Sequence, residues 1–131
     1  MTASAGRGPL LLDTHVLLWW LAGDTALPKD VRNTIATETE VFVSVVTLWE
    51  IALKRAIGKL EVPDDLVDWV EASGVAELPV RFHHADAAGQ LPFLHRDPFD
   101  RMLVAQAITE RLTLVTRDRQ IQQYDVPTLK V

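Results

Sequence analysis

Apolar and polar residues follow two different periods along the chain, and each change of period marks a predicted element. Short apolar runs at residues 9–13, 41–46 and 112–116 are typical of strands buried on both faces of a sheet. Shorter strands are predicted at residues 75–80 and 128–131. Segments with helical spacing separate these runs. The alternation predicts an α/β fold, with a parallel sheet that is covered by helices on both faces.

Gly and Pro residues mark the boundaries of the predicted helices. Gly23 and Gly58 each close an apolar helix, whereas Pro28 and Pro63 each stand where a helix begins. The predicted helices lie at residues 16–22, 28–40, 49–57, 63–72, 83–91 and 97–108, with a short one from residue 118.

The length and composition limit the possible classes of protein. A chain of 131 residues predicts one domain at residues 9–131, after a small, polar and flexible leader at residues 1–8. The chain has no Cys, which excludes a thiol nucleophile and a zinc-thiolate site. The formal net charge of -5 gives no broadly basic footprint for nucleic acid. Charged residues interrupt its most apolar stretch, so we expect a cytoplasmic protein with no membrane span.

Four acidic residues are predicted to meet at one edge of the sheet. Asp13 closes the first strand, Glu50 follows the second, and Asp118 follows the fourth. Asp100 lies in the first turn of the helix that begins after Asp97. In open parallel sheets, ligands bind outside the carboxyl ends of the strands. This edge is therefore the candidate functional site.

Each acid also has a structural interpretation. Asp13 and Asp118 could each cap a helix, and Glu50 could close a capping box with Thr47. Asp97 before Pro98 fits an N-cap followed by a first-turn proline, which leaves Asp100 as the site candidate. A cap can equally be Ser, Thr or Asn, so the use of an acid at all four positions favours a shared site.

Repulsion among these acids indicates what they bind. Two carboxylates about 5 Å apart repel by roughly 3 kcal/mol at an effective dielectric constant near 20. The stability of a whole domain is only about 5 to 15 kcal/mol. The cluster must therefore share protons or bind a cation, and hard oxygen ligands suit Mg²⁺ or Mn²⁺.

The segments around the four acids resemble the PIN-domain ribonucleases, and among them the VapC-type toxins of type II toxin-antitoxin systems. The resemblance covers nearly the whole chain from Pro9 onward. It is carried by four segments in order: LLLDTH at residues 10–15, SVVTLWEI at 44–51, DPFDRMLVAQA at 97–107 and LVTRD at 114–118.

The resemblance implies a three-layer α/β/α PIN-like fold with a central parallel sheet of about five strands. It also implies cleavage of RNA that depends on Mg²⁺ or Mn²⁺, by water that the metal activates. The family's acids fall on Asp13, Glu50, Asp100 and Asp118, of which the first and third are the firmest metal ligands. Thr116 matches the position of a hydroxyl near the site. The implied partners are RNA, a VapB-like antitoxin and a second copy of the chain.

Basic residues near the acids have two interpretations. Arg101, Arg117 and Arg119 could hold RNA phosphates by forked hydrogen bonds, or they could form salt bridges to the acids. Lys54 follows Glu50 by four residues, so a simple helix pair explains it as well as RNA does.

Histidines and tryptophans are weaker candidates. None of the four histidines has an obvious partner in the sequence; His83 and His84 are predicted at the surface, and His15 is close enough to Asp13 to touch substrate. The tryptophans are expected mainly in the core. However, Trp19 and Trp20 cannot share one helix face, so at least one is predicted to reach a partner surface.

Two other functions remain open at this point. A phosphatase with an aspartyl nucleophile would use the same kind of sheet, but the haloacid dehalogenase type has a second Asp two positions after the first, where this chain has His15. A non-catalytic protein-binding module would use the acids only as helix caps.

Overall fold

A five-stranded parallel sheet forms the centre of the chain in this computed structural model, which describes residues 8–131. The strands are β1 (Leu10–Leu12), β2 (Val41–Ser44), β3 (Ala76–Leu78), β4 (Thr113–Thr116) and β5 (Thr128–Lys130). They lie in the order β3-β2-β1-β4-β5. The predicted parallel sheet of about five strands is confirmed. The predicted leader at residues 1–8 lies outside the described residues, apart from Gly8.

The central strand β1 divides the core into two layers. Leu10, Leu11 and Leu12 are all completely buried, and successive side chains point to opposite faces of the sheet. Leu10 and Leu12 pack with Val16 in one apolar cluster, whereas Leu11 packs with Leu103 in the other. Helices therefore cover both faces, as the three-layer prediction requires.

Six α-helices and a short 3-10 helix surround the sheet in the described part of the chain. They are α1 (Thr14–Ala22), α2 (Lys29–Thr37), α3 (Val45–Ala56), α4 (Leu66–Ala72), α5 (Phe82–Gln90) and α6 (Pro98–Glu110), with the 3-10 helix at Ile121–Gln123. Helix α1 ends at Gly23, whose φ of 64° is a left-handed conformation that Gly adopts without strain. No helix of residues 8–131 is both long and apolar enough to span a membrane.

The predicted start of α3 was wrong. The sequence pattern placed Val45 and Val46 in a strand, but both lie in the helix, because the Ser44 hydroxyl accepts the backbone N–H of Val46 and caps α3 there. The predicted capping box of Thr47 with Glu50 is wrong for the same reason, since these residues lie beyond the cap. Elsewhere, α2 ends at Thr37 and α4 begins at Leu66, so both are shorter than predicted.

The order of the strands across the sheet changes direction at β1. Strand β2 pairs with one side of β1, and β4 pairs with the other side. A crevice forms outside the carboxyl ends of strands where the order changes in this way. Asp13 directly follows β1 and Thr116 ends β4, so both open onto this crevice.

Candidate metal centre at the carboxyl edge of the sheet

The four predicted acids line one cleft of about 490 Å³. Asp13 arrives from the end of β1, Glu50 from α3, Asp100 from the first turn of α6, and Asp118 from the segment after β4. Four separate parts of the chain therefore contribute a carboxylate to the same space.

Asp13 is fixed by contacts to both of its carboxylate oxygens. Its Oδ1 accepts the backbone N–H of Val16 at 2.9 Å, so Asp13 is the N-cap of α1, as its structural interpretation proposed. Its Oδ2 accepts the hydroxyl of Thr116 at 2.5 Å. Burial raises the pKa of Asp13 above its usual range, although the bonds to Thr116 and Val16 oppose that rise. The Asp13 side chain therefore caps α1 and also lines the cleft.

Glu50 is buried and held by two side chains. The hydroxyl of Thr14 donates to its Oε1 at 2.6 Å, and the ammonium of Lys54 lies 2.6 Å from its Oε2. The hydrogen bond with Glu50 raises the pKa of Lys54, which keeps this ammonium charged. The helix-pair interpretation of Lys54 is confirmed.

Asp100 carries the clearest electrostatic signature of the site. Burial and the neighbouring Asp97 carboxylate raise the pKa of Asp100 to about 7, and Glu50 and Asp118 add to the rise. His95 opposes it. Asp97 itself caps α6, because its Oδ1 accepts the backbone N–H groups of Phe99 and Asp100. The prediction that Asp97 caps the helix is confirmed, and Asp100 lies in the cleft, which Asp97 also lines.

Asp118 uses its two oxygens for different purposes. Its Oδ1 accepts the backbone N–H groups of Gln120 at 2.7 Å and Ile121 at 3.2 Å, which forms the turn into the 3-10 helix. Its Oδ2 lies 3.3 Å from Nε2 of His95. The hydroxyl of Thr116 accepts the backbone N–H of Asp118 at 3.0 Å. Thr116 thus connects Asp118 with the carboxylate at the end of β1.

His95 belongs to the site, although the sequence did not indicate it. Its Nε2 lies 2.9 Å from Oδ2 of Asp100 and 3.3 Å from Oδ2 of Asp118. The expectation that the histidines have no partners was also wrong for His84, which is buried and lies 2.7 Å from Glu110. The sequence feature that could have indicated a site position for His95 is its place two residues before Asp97, the cap of α6.

Arg101 does not line the cleft, and the prediction that it binds substrate needs correction. Its side chain is buried, and its guanidinium donates to four backbone carbonyl groups and the Tyr124 hydroxyl. These carbonyls belong to Ala88, Leu91, Pro92 and His95. Arg101 therefore fixes the end of α5 and the segment between α5 and α6, which includes His95, and it is not among the residues that line the cleft.

Arg117 does line the cleft, together with Trp19 and His15. The Arg117 guanidinium lies 4.5 Å from the centroid of the Trp19 ring and donates to the backbone carbonyls of Ala26 and Val131. Arg117 as a whole is exposed. A fixed, exposed guanidinium beside the carboxylates is suited to hold a phosphate.

Two of the four tryptophans, Trp49 and Trp69, do not follow the expectation of a core position. Trp49 is 62% exposed and Trp69 is 48% exposed, while Trp19 and Trp20 are half-buried. Trp49 belongs to an exposed apolar stripe that runs along α3 to the residue that ends it, and each member follows the last by four residues. We call it the α3 stripe, and it consists of Val45, Trp49, Leu53 and Ile57.

The donors of the cleft fit a hard divalent cation. Carboxylate oxygens of Asp100 and Asp118 lie within 4.8 Å of each other, and Nε2 of His95 lies within the same distance of both and contacts the two carboxylates. Burial raises the pKa of two of the four acids, Asp13 and Asp100, and the Asp118 carboxylate adds to the rise at each. Carboxylate oxygens are the ligands that Mg²⁺ and Mn²⁺ prefer. The residues present are therefore sufficient to hold such an ion.

Known proteins share both the sequence pattern and the fold. Residues 10–127 match the PIN domain family. The chain is 28% identical over 121 residues to Ribonuclease VapC22 of Mycobacterium tuberculosis, a match that spans 90% of this chain and 93% of the relative.

Two solved structures are similar in fold. The DNA-bound VapBC of Salmonella typhimurium matches with a TM-score of 0.71 and 20% identity, over 94% of this chain and 98% of that one. VapBC2 of Rickettsia felis, bound to a promoter DNA fragment, also gives a TM-score of 0.71, with 15% identity over 92% and 97% of the two chains. The family match spans nearly all of the described residues, and with the acidic cleft it shows that this chain belongs to the PIN domain family.

Proposed function

We propose that this chain is an endoribonuclease that depends on Mg²⁺ or Mn²⁺ and acts as the toxin of a toxin-antitoxin pair. The observation that carries the proposal is the convergence of Asp13, Glu50, Asp100 and Asp118 in one cleft of a PIN domain. The similarity to a ribonuclease supports the reaction, and the similarity to VapBC complexes supports the toxin role.

The side chains of the cleft have different proposed roles. Asp13 and Asp100 are the proposed direct metal ligands, while Glu50 and Asp118 act on the ion directly or through water. A divalent ion held by these residues would supply an activated water and positive charge near the scissile phosphate. Thr116 holds the Asp13 carboxylate in one orientation. Arg117 is the proposed phosphate contact, because it is the arginine that lines the cleft with an exposed guanidinium.

Protein partners are proposed for the outside of α3. The α3 stripe presents large apolar side chains to solvent, and contiguous exposed apolar surface marks protein interfaces. We assign it to a second copy of this chain and propose that a VapB-like antitoxin binds the resulting homodimer. We also propose that the protein acts in the cytoplasm, where its RNA substrate is present.

Cleavage of RNA with and without divalent ions tests the proposed reaction. The wild-type protein is expected to cut RNA in Mg²⁺ or Mn²⁺ and to stop when a chelator is added. Asp100→Asn should abolish cleavage, whereas Asp125→Asn, which changes an exposed acid outside the cleft, should cut at the wild-type rate. Cleavage by the Asp100→Asn protein at the wild-type rate would refute the proposal.

The same preparations separate the alternatives. A phosphatase would turn over a chromogenic phosphate monoester, whereas the nuclease proposal predicts negligible turnover. A binding module would give no calorimetric signal with Mg²⁺ or Mn²⁺, whereas the nuclease proposal predicts one that Asp100→Asn removes.

A further inference from the structure

His95 lies at the point where two proposed ligand-bearing segments meet. Its Nε2 is 2.9 Å from the Asp100 carboxylate on α6 and 3.3 Å from the Asp118 carboxylate after β4. The side chain is 10% exposed, so water cannot easily take its place. One nitrogen therefore contacts two carboxylates that the chain brings from different elements.

The position of the imidazole is itself fixed from several sides. The backbone N–H of His95 donates to the Tyr124 hydroxyl at 3.0 Å, and its carbonyl accepts from Arg101. The Tyr124 hydroxyl in turn donates to the Pro92 carbonyl at 2.8 Å. The segment that carries the ring is thus held by two buried side chains, and its orientation does not depend on the carboxylates alone.

A backbone contact selects the tautomer of the ring. The N–H of Asp97 donates to Nδ1 of His95 at 3.3 Å, so Nδ1 is an acceptor and the proton is on Nε2. The protonated Nε2 can donate to carboxylates, but it has no lone pair for a metal. Direct ligation through Nε2 would require the opposite tautomer, whose Nδ1–H would oppose the N–H of Asp97.

From this geometry we propose that His95 is a positioning residue of the metal centre, whose Nε2–H group holds the Asp100 and Asp118 carboxylates in register for a divalent ion that it does not itself bind. The inference rests on the proposed function, because it takes these two acids as metal-site residues. Groups that orient metal ligands through hydrogen bonds are typically worth 10- to 100-fold in metal affinity.

Mn²⁺ binding to three variants tests the role without any activity measurement. Free Mn²⁺ is measured by its EPR signal during a titration. His95→Leu is expected to weaken Mn²⁺ binding by roughly 10- to 100-fold. His95→Gln keeps an N–H donor near the position of Nε2 and should restore most of that loss. His84→Leu also removes a buried histidine with a carboxylate partner, but outside the cleft, and should leave Mn²⁺ affinity unchanged.

The wild-type protein supplies a second measurement that does not depend on a variant that folds. Nitrogen NMR shifts of the His95 ring should show the proton on Nε2 both without metal and with Mg²⁺ bound. Pulsed EPR of bound Mn²⁺ should show no directly coordinated imidazole nitrogen.

Two results would overturn the proposal while leaving the nuclease function intact. These are wild-type Mn²⁺ affinity in His95→Leu, and a Mg²⁺-loaded protein whose His95 carries its proton on Nδ1. A wild-type protein that binds no Mn²⁺ at all would overturn both this proposal and the proposed function.

Discussion

The hydroxyl of Thr116 donates to the Asp13 carboxylate at 2.5 Å while it accepts the backbone N–H of Asp118 at 3.0 Å. Thr116 ends β4 and Asp13 follows β1, and these two strands are neighbours in the sheet. One buried hydroxyl thus connects two acids that are more than 100 residues apart in the chain. The pairing of two central strands is what sets the spacing of the proposed metal ligands.

Replacing this hydroxyl should affect both stability and cleavage. Thr116→Val leaves the buried Asp13 without its donor and the Asp118 N–H without its acceptor, so we expect a loss of about 1 to 3 kcal/mol in the free energy of unfolding. RNA cleavage should fall by roughly 10- to 100-fold. Urea denaturation and a cleavage assay measure the two effects. Thr116→Ser retains the hydroxyl and should keep most of the stability and most of the cleavage. Equal losses in Thr116→Val and Thr116→Ser would contradict the role of the hydroxyl.

The stability of the metal-free protein should depend on pH through Asp100. Its pKa is raised to about 7 in the folded state, from an unfolded value near 3.9. The folded state therefore holds the proton more tightly, and this stabilising contribution is complete below about pH 4 and is lost as the pH rises through about 7. The full effect is on the order of 4 kcal/mol.

Chemical denaturation in a chelator, at a series of pH values, measures this dependence. The free energy of unfolding should decrease from pH 5 to pH 8, and the decrease should be smaller in Asp100→Asn, which is neutral at every pH. Mg²⁺ should restore stability at the upper end of the range, because it binds the folded state. A wild-type protein and an Asp100→Asn variant with the same pH dependence would contradict the assignment.

Replacement of Arg101 should lower stability, whereas replacement of Arg117 should weaken RNA binding. Arg101 donates to four carbonyls in the segment before α6, so Arg101→Met leaves buried acceptors without donors and should lower stability by about 3 kcal/mol or more. Arg117→Met should change stability little, since the side chain is exposed, but should weaken RNA binding.

Thermal unfolding and fluorescence anisotropy with labelled RNA separate these effects. Both arginine changes are made in the Asp100→Asn protein, so that the RNA stays intact during the measurement. If Arg101→Met weakened RNA binding without any loss of stability, the structural role of Arg101 would be contradicted.

The α3 stripe should control self-association. A charge in its centre, as in Leu53→Glu, is expected to convert a homodimer into a monomer, because a buried charge without a partner strongly opposes association. Sedimentation velocity measures the change. Phe82→Glu is the matched control, since Phe82 is 97% exposed but lies on α5, outside the stripe. A dimer that tolerates Leu53→Glu would place the contact between copies elsewhere.

The fold and the four acids were predictable because they depend on patterns that local sequence carries. Buried strands of a parallel sheet are short apolar runs, and the carboxyl ends of parallel strands lie at the same edge. Asp13 directly follows such a run and Asp118 lies two residues beyond the end of another, so their convergence follows from the topology. The Asp97 cap was predictable for a similar reason, because Pro98 fixes the first turn of the helix after it.

The roles of Arg101 and His95 were not predictable in the same way. The partners of Arg101 are mostly backbone carbonyls, which every residue has, so no residue type in the sequence identifies them. His95 meets Asp118 only because the segment before α6 folds across the end of β4. Irregular segments have no period from which such contacts can be derived. The start of a predicted helix is an exposed position, which placed His84 at the surface, whereas its ring is buried against Glu110.

The central claim is that four carboxylates from separate parts of the chain bind one divalent centre that cuts RNA. Diffraction from a crystal soaked in Mn²⁺ tests it most directly, since the anomalous signal locates the ion. We expect a peak in the cleft within ligand distance of Asp13 and Asp100, with Glu50 and Asp118 beside it. A soaked crystal with no peak in this cleft, or with Mn²⁺ bound only at other acids, would contradict the account.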